Sequence, residues 1–155
     1  MMSEVLAIYT KDLRKNYGRV RALLGVDLEV QCGEIFGFLG PNGAGKTTTI
    51  RCLLDLIRPD FGEVSVLGIN PQDNPVGVRA RVGYLPGELQ LESNFSVIGQ
   101  LRYLNRLRGR VVDWNDVYRI AERISLDLKM PIKNLSKGNK QKVGLIQAFA
   151  HKPDL

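Results

Sequence analysis

The stretch FGFLGPNGAGKTTTIRCLLDLI, Phe36 to Ile57, joins an apolar run to a glycine-rich loop and then to an amphipathic segment. Residues 40–47 match the pattern G-x-x-x-x-G-K-[ST] at every fixed position. Glycines let the backbone approach a phosphate chain without Cβ clashes and adopt positive φ angles. Successive N–H groups then form an anion-binding nest, to which a helix beginning near Lys46 adds its positive end. The stretch predicts a nucleotide phosphate-binding loop between a strand and a helix.

The residues of this loop have different predicted tasks. Lys46 bridges the β- and γ-phosphates, the Thr47 hydroxyl ligates Mg²⁺, and Thr48 reaches an α-phosphate oxygen. The alternative is a glycine-rich turn that matches the pattern by chance, which average residue usage produces in on the order of one per cent of chains this long. The predicted phosphate-binding set is Gly40, Pro41, Asn42, Gly43, Ala44, Gly45, Lys46, Thr47 and Thr48.

The composition is that of an ordinary globular domain. The chain has 155 residues, of which 44% are hydrophobic and 25% are charged, so a disordered chain is excluded. No apolar stretch reaches the roughly 20 residues that a membrane span needs. The start, MMSEVLAIYTKDL, is acidic where a signal peptide is basic, which predicts a cytoplasmic protein. The net charge of +6 leaves nucleic acid, anionic lipid and polyphosphate open as partners.

Hydrophobic periodicity predicts strands and then helices along the chain. In the first half, the apolar residues of positions 50–57 share one helical face, and this helix ends before Pro59. In the second half, helices are predicted over 96–110, over 113–124 with Asp113 as N-cap, and over 134–151 with Ser136 or a neighbour as cap. Cys32 and Cys52 are predicted to be buried free thiols. The predicted strands are residues 5–10, 26–30, 34–40, 63–68 and 82–86.

A second motif narrows the class. LSKGNKQKV, Leu135 to Val143, resembles the LSGGQ signature of ATP-binding-cassette (ABC) transporter ATPases, with Lys137 and Asn139 in place of the usual glycine and glutamine. A helix N-terminus that presents N–H groups and a hydroxyl to an anion gives the motif its physical logic. The bland alternative is simply a capped helix. The resemblance implies nucleotide contacts from Leu135, Ser136, Lys137, Gly138 and Asn139.

Two shorter stretches agree with this family. KNYG precedes RVRALLGVDLEV as in the family's aromatic loop, so the resemblance implies that Tyr17 stacks on adenine, with a surface or core tyrosine as the alternative. VGYLPGELQL resembles the loop between the two subdomains, where the family has Gln or Glu directly after the proline. Here Gly87 follows the proline and Glu88 comes next. Glu88 is therefore the predicted contact to Mg²⁺ or water, displaced by one position.

The resemblance, from about Tyr17 to Leu155, implies an α/β P-loop NTPase core with antiparallel strands and an inserted helical subdomain. Residues 1–87 are assigned to the α/β core, 88–134 to the helical subdomain and 135–155 to the signature and its helix. The implied function is the ATP-binding subunit of an exporter-like ABC transporter, with ATP and Mg²⁺ as cofactors. The implied partners are a separate membrane-spanning subunit and a second ATPase subunit, a homodimer or heterodimer that sandwiches ATP. The implied place is the cytoplasmic face of the cell membrane.

In this family an apolar strand ending in Asp-Glu follows a P-x-L such as Pro153–Leu155, and a switch histidine lies further on. We therefore expect the fold to be incomplete at the C-terminus, the catalytic residues to lie beyond Leu155, and the chain to bind ATP without hydrolysing it well. Two alternatives stay open: a nucleic-acid-associated or translation-type ABC ATPase, and a non-hydrolysing nucleotide-binding module. Nucleic acid is the less favoured partner, because the chain lacks the long coiled coil of repair-type members.

Overall fold

The computed structural model describes residues 6–155 and divides them into two compact units. The first contains the residues up to 80 together with Leu155, and the second contains residues 81–154. This division reflects packing alone, so the predicted subdomain boundaries after residues 87 and 134 stay predictions. Val5, the first residue of the first predicted strand, lies outside the described residues.

A three-stranded antiparallel sheet, in the order β2-β1-β3, forms the frame of the first unit. Its strands are β1 (Leu6–Tyr17), β2 (Val20–Gln31) and β3 (Phe61–Val66). Gly18, at a φ of 59°, makes the tight turn that joins β1 to β2, and Tyr17 pairs with Val20 beside it. The first two strands are longer than predicted, because their polar outer residues weaken the apolar signal without weakening the backbone pairing.

Helix α1 (Lys46–Leu53) packs against β2 and β3. It ends earlier than predicted, since Asp55 adopts a left-handed conformation at a φ of 48°. The Leu56 N–H then bonds the Arg51 carbonyl at 2.9 Å and the Asp55 N–H bonds the Cys52 carbonyl at 3.1 Å, which is a Schellman ending. The predicted apolar face is consequently wrong at Ile50, which is exposed, whereas Thr49, Cys52 and Leu53 are buried.

Two strand predictions and one thiol prediction are wrong. Residues 34–40 and 82–86 form no strand, and the Ile35 side chain is fully exposed. A buried strand needs neighbouring strands for its hydrogen bonds, and among the described residues the only sheet is the antiparallel one, which includes neither segment. The apolar composition of these two segments was therefore not sufficient to predict strands. Cys52 is buried as predicted, but Cys32 is exposed because it lies in the turn after β2.

A short helix that periodicity missed, α2 (Pro75–Arg81), follows β3 along the chain. The Asn74 side chain accepts the Gly77 N–H at 2.9 Å, and Pro75 occupies the first helical position. An Asn-Pro start is a helix signal in its own right. With only seven residues, the helix was too short for a periodic apolar face to be recognised.

The second unit is helical. Its elements are α3 (Val97–Leu107), α4 (Trp114–Arg123), a 3-10 turn (Ile132–Asn134) and α5 (Lys137–Phe149). The N-cap predictions are confirmed: Asp113 accepts the Asn115 N–H at 2.9 Å, and Ser136 accepts the Asn139 N–H at 3.2 Å. Ser96 caps α3 in the same way. Loops therefore end and helices begin in this unit where the sequence supplies a capping oxygen.

One continuous apolar cluster holds these helices together. The predicted face of α5 is confirmed, because Val143 and Ile146 are fully buried and Ala150 nearly so. Across residues 6–155, no helix combines the length and the apolar character needed to cross a bilayer. The members of the cluster are Val97, Leu101, Val117, Ala121, Leu126, Leu128, Ile132, Leu135, Val143, Ile146 and Ala150.

Candidate nucleotide-binding site

The predicted phosphate loop lies in the first unit, where it leads directly into α1. Gly43 and Gly45 both have a φ of 86°, in the left-handed region that favours glycine. The Ala44 N–H bonds the Pro41 carbonyl at 3.2 Å, which closes the loop into a tight turn. Gly45 is the N-cap residue of α1. The structure therefore brings the predicted set, residues 40–48, into one continuous loop and first helical turn.

The N-terminus of α1 has no side-chain cap. Its N-cap is a glycine, and the first hydrogen bond of the helix runs from the Thr49 N–H to the Gly45 carbonyl at 2.8 Å. The N–H groups of residues 46–48 therefore lack an intrahelical acceptor. Together with the dipole of the helix, they form a site that favours an anion.

The ammonium group of Lys46 is already positioned over the loop. Its Nζ donates to the carbonyl oxygens of Gly40 at 2.5 Å and Pro41 at 2.8 Å. Both acceptors are neutral, and the described residues provide Lys46 with no carboxylate partner. The loop thus holds an uncompensated positive charge at its mouth, as phosphate binding requires.

The three consecutive threonines differ in their environment. Thr49 is buried, and its hydroxyl donates back to the Gly45 carbonyl at 3.1 Å. Thr47 is exposed and Thr48 is half-buried, and within the described part of the chain neither hydroxyl makes a hydrogen bond. Thr49 therefore stabilises the start of the helix, whereas Thr47 and Thr48 keep their oxygens for a ligand. The predicted contacts of Thr47 with Mg²⁺ and of Thr48 with an α-phosphate stay predictions.

Close packing against β2 fixes the position of the loop. A Cβ atom on Gly45 would lie 2.7 Å from the Ala22 carbonyl oxygen and 2.6 Å from a methyl group of Leu23. A backbone carbonyl cannot move aside as a flexible side chain can. Only glycine fits between the loop and the strand at this position.

Tyr17 lies at the turn end of the hairpin whose second strand contacts Gly45. Its ring is about half exposed, and the Lys15 ammonium lies 5.9 Å from the ring centroid. The loop and Tyr17 therefore belong to the same compact unit, and the tyrosine ring is partly accessible. An accessible ring suits stacking, and the adenine contact of Tyr17 stays a prediction.

Sequence reasoning missed the residue that anchors this end of the hairpin, Asp60. Its carboxylate accepts the Lys15 ammonium at 2.8 Å and the Asn16 N–H at 2.7 Å. These hydrogen bonds hold the pKa of Asp60 below its usual value. Asp60 directly precedes β3 in a stretch, RPDFG, whose only sequence signal was that of a turn. Its contact with β1 depends on tertiary pairing, which no local pattern shows.

The signature-like residues lie in the second unit, at the N-terminus of α5. Leu135 is buried, while Ser136, Lys137 and Gly138 are exposed. In contrast to α1, this N-terminus is partly satisfied by its own side chain, since Ser136 Oγ accepts the Asn139 N–H. The Ser136 hydroxyl proton and the exposed N–H groups of residues 137 and 138 remain for contact with another molecule.

Glu88 also lies in the second unit, and it is exposed. The Gln141 amide of α5 donates to the carbonyl of Gly87 at 3.3 Å, which ties the loop before Glu88 to the signature helix. Among the described residues, no group of three His, Cys, Asp or Glu side chains is arranged to hold a metal ion. A magnesium ion would depend on Thr47 and the phosphates, and the role of Glu88 stays a prediction.

The comparisons with known proteins agree with these two features: the glycine-rich loop before α1, and the stretch LSKGN at the capped start of α5. Residues 23–155 match the family model described as ABC transporter. The chain belongs to the ABC transporter ATP-binding family, whose members are ATPases.

Individual relatives agree with this assignment. The chain is 36% identical to the Nod factor export ATP-binding protein I of Cupriavidus metallidurans, over 94% of this chain and 49% of that protein. It is 34% identical to the bacitracin transport ATP-binding protein BcrA of Bacillus licheniformis, over 96% of this chain and 49% of that protein. A solved ATP-binding subunit of an ABC transporter superposes with a TM-score of 0.81 at 29% identity, covering 95% of this chain and 63% of that chain. The chain thus spans about half the length of the curated relatives it matches.

Proposed function

We propose that this chain binds ATP with Mg²⁺ through residues 40–48, as the nucleotide-binding part of an ABC exporter. The observation that carries the proposal is the N-terminus of α1, which has a glycine N-cap, no capping side chain and a lysine that no carboxylate of residues 6–155 pairs with. An uncapped helix start beside an ammonium group that only neutral carbonyl oxygens hold favours a multiply charged phosphate chain. Thr47 would ligate Mg²⁺, which on binding would neutralise the phosphate oxygens.

Substitution of Lys46 tests the proposal. We expect Lys46→Ala to weaken ATP·Mg²⁺ binding by more than about 30-fold, since truncating one partner of a charged hydrogen-bonded pair costs about 2–5 kcal/mol. Isothermal titration calorimetry measures the affinity. Lys11→Ala is the matched control, because it removes the same charge from an exposed position on β1 of the same unit. Unchanged affinity in Lys46→Ala, or an equal loss in Lys11→Ala, would contradict the assignment.

We further propose that the polypeptide of residues 1–155 binds ATP with little turnover. The resemblance puts the strand ending in Asp-Glu after the P-x-L that Pro153–Leu155 match. Phosphoryl transfer depends on positioned charges and a positioned water. A phosphate-release assay on this polypeptide is expected to give a rate near that of Lys46→Ala. Turnover that Lys46→Ala abolishes would show that the described residues suffice.

The proposed partner is a membrane-spanning transporter subunit, reached from the cytoplasmic face. The relatives' names support this, since they describe ATP-binding proteins of Nod factor export and of bacitracin transport. A second subunit would present its Ser136 end to the ATP held by this one, in a homodimer or a heterodimer. Co-purification with a membrane protein encoded beside this chain tests the first partner, and ATP-dependent dimerisation in analytical ultracentrifugation tests the second.

A further inference from the structure

The second unit contains a cavity of about 290 Å³ that the proposed function does not use. It lies between α3, α4 and the C-terminal half of α5, all within residues 81–154. Its walls include the buried side chains of Leu101, Val117 and Ala150 and the half-buried ring of Trp114. This volume is near the lower end for small-molecule pockets, so an occupant has to be small. The apolar walls favour an occupant with an apolar body.

Asn105 contributes a hydrogen-bond donor to the lining of the cavity. Asn105 uses its side-chain oxygen to accept the Val112 N–H at 3.1 Å, which leaves its amide nitrogen as a donor. The Asn105 amide can therefore donate to an oxygen atom of a ligand in the cavity.

One charged residue, Arg108, completes the lining. Its guanidinium Nη1 lies 2.7 Å from Nδ1 of His151, whose Nε2 lies 3.3 Å from the Val82 carbonyl. This pairing fits a neutral imidazole that accepts from Arg108 and donates to Val82. Among the described residues Arg108 has no carboxylate partner, and no residue that lines the cavity is acidic. Nη1 of Arg108 also donates to the backbone carbonyl of Gln147 at 3.4 Å, so both of its partners are neutral. The cavity therefore combines apolar walls with one positive charge that no carboxylate of the described residues compensates.

We propose that this cavity binds a small amphiphilic carboxylate. The carboxylate pairs with the Arg108 guanidinium, and the apolar body packs between Leu101, Val117 and Trp114. This assignment follows from charge complementarity and does not depend on ATP binding. A peptide helix is too large for a cavity of this volume, whereas a medium-chain fatty acid has both required parts.

The chain's single tryptophan, Trp114, lines the cavity and reports its occupancy. We expect octanoate, added at about pH 7.5 where the carboxylate is ionised, to change Trp114 fluorescence saturably. In Arg108→Gln the octanoate affinity should fall about tenfold or more, because a charge-assisted contact is lost. Octanol, which has the same chain without the charge, should bind more weakly and be insensitive to that substitution.

Arg106→Gln is the matched control, because Arg106 is an exposed arginine of α3 that does not line the cavity. It should leave octanoate affinity unchanged. Arg108→Lys, which keeps the charge, should retain part of the affinity and allows the test if Arg108→Gln fails to fold. The absence of a saturable change with octanoate would overturn the proposal. Equal losses in Arg108→Gln and Arg106→Gln, or equal losses for octanoate and octanol in Arg108→Gln, would overturn it as well.

Discussion

The chain contains two helix N-termini with predicted nucleotide contacts, and they are built differently. The start of α1 has a glycine N-cap and no capping side chain, and the Lys46 ammonium bonds the carbonyl oxygens of Gly40 and Pro41 in the preceding loop. The start of α5 is capped by Ser136, whose Oγ accepts the Asn139 N–H. The first-turn N–H groups of α1 therefore have no side-chain acceptor, whereas one N–H group of α5 is capped by Ser136.

The difference indicates two kinds of site: α1 has enough donors to bind an anion by itself, whereas α5 has only a few donors to add to a nucleotide bound elsewhere. The open terminus of α1 offers one ligand three N–H groups, two threonine hydroxyls and an ammonium that bonds only neutral carbonyl oxygens. The capped terminus offers only what remains after Ser136 has bonded to its own helix. We therefore expect α1 to bind nucleotide alone, and α5 to contact nucleotide that another subunit already holds.

Of the substitutions that test this comparison, the one at Gly45, the N-cap of α1, should have the largest effect on the free energy of unfolding. Gly45→Ala should lower the free energy of unfolding by about 2–4 kcal/mol, from left-handed strain and overpacking together. Its Cβ would approach the Ala22 carbonyl at 2.7 Å. Urea denaturation measures the loss.

Gly43→Ala is a matched control for that substitution. Gly43 has the same φ of 86° as Gly45, but a Cβ there meets nothing within 4 Å. It should cost only the left-handed strain of about 1–2 kcal/mol. Equal losses at the two glycines would show that the packing against β2 does not fix the loop.

A smaller effect is expected at the capped terminus. Ser136→Ala removes the hydroxyl that accepts the Asn139 N–H and should lower the free energy of unfolding by about 1 kcal/mol. ATP affinity of the dilute chain should stay within about twofold of the unsubstituted chain, because we propose that Ser136 contacts only the nucleotide that a second subunit holds. Asp113→Ala, at the cap of α4, is expected to cost a similar amount of stability. A large loss of ATP affinity in Ser136→Ala would break the distinction between the termini.

The smallest effect concerns the other end of α5, where His151 accepts from Arg108. Burial and the Arg108 charge lower the pKa of His151 from its ordinary value of about 6.5. The unfolded chain therefore binds the proton more readily than the folded chain. The stability that His151 contributes is present above about pH 6.5 and is lost as the pH falls through the lowered pKa.

Urea denaturation between about pH 7.5 and pH 5 measures this loss, and His151→Asn should flatten the dependence. Asp60 and Asp116, whose pKa values are also lowered, lose their contributions only in more acid solution. An unchanged pH slope in His151→Asn would assign the dependence to other groups.

Local chemistry made some parts of this molecule predictable. The phosphate loop, the capping residues Asp113 and Ser136 and the buried face of α5 each depend on residues a few positions apart. The hairpin turn at Gly18 and the Asn-Pro start of α2 have comparable local signals, but hydrophobic periodicity does not contain them. Such features follow from backbone geometry and capping alone.

The rest depended on contacts between distant residues. Residues 34–40 are as apolar as a buried strand but form none, since strand formation needs a pairing partner. The hydrogen bonds of Asp60 with Lys15 and Asn16 join residues that are separated by 45 and 44 positions in the sequence. The cavity around Arg108 likewise exists only because three helices pack together. No local sequence pattern contains these relations.

The most direct test of the central claim is a backbone amide NMR titration of the dilute chain with ATP·Mg²⁺. The account predicts large shifts for the amides of Gly43 and residues 45–48 at a ligand concentration that leaves residues 137–139 unmoved. Residues 137–139 should respond only when the protein concentration is raised and a dimer forms. Shifts of residues 137–139 equal to those of residues 45–48 in the monomer, or no shift of residues 45–48, would contradict it.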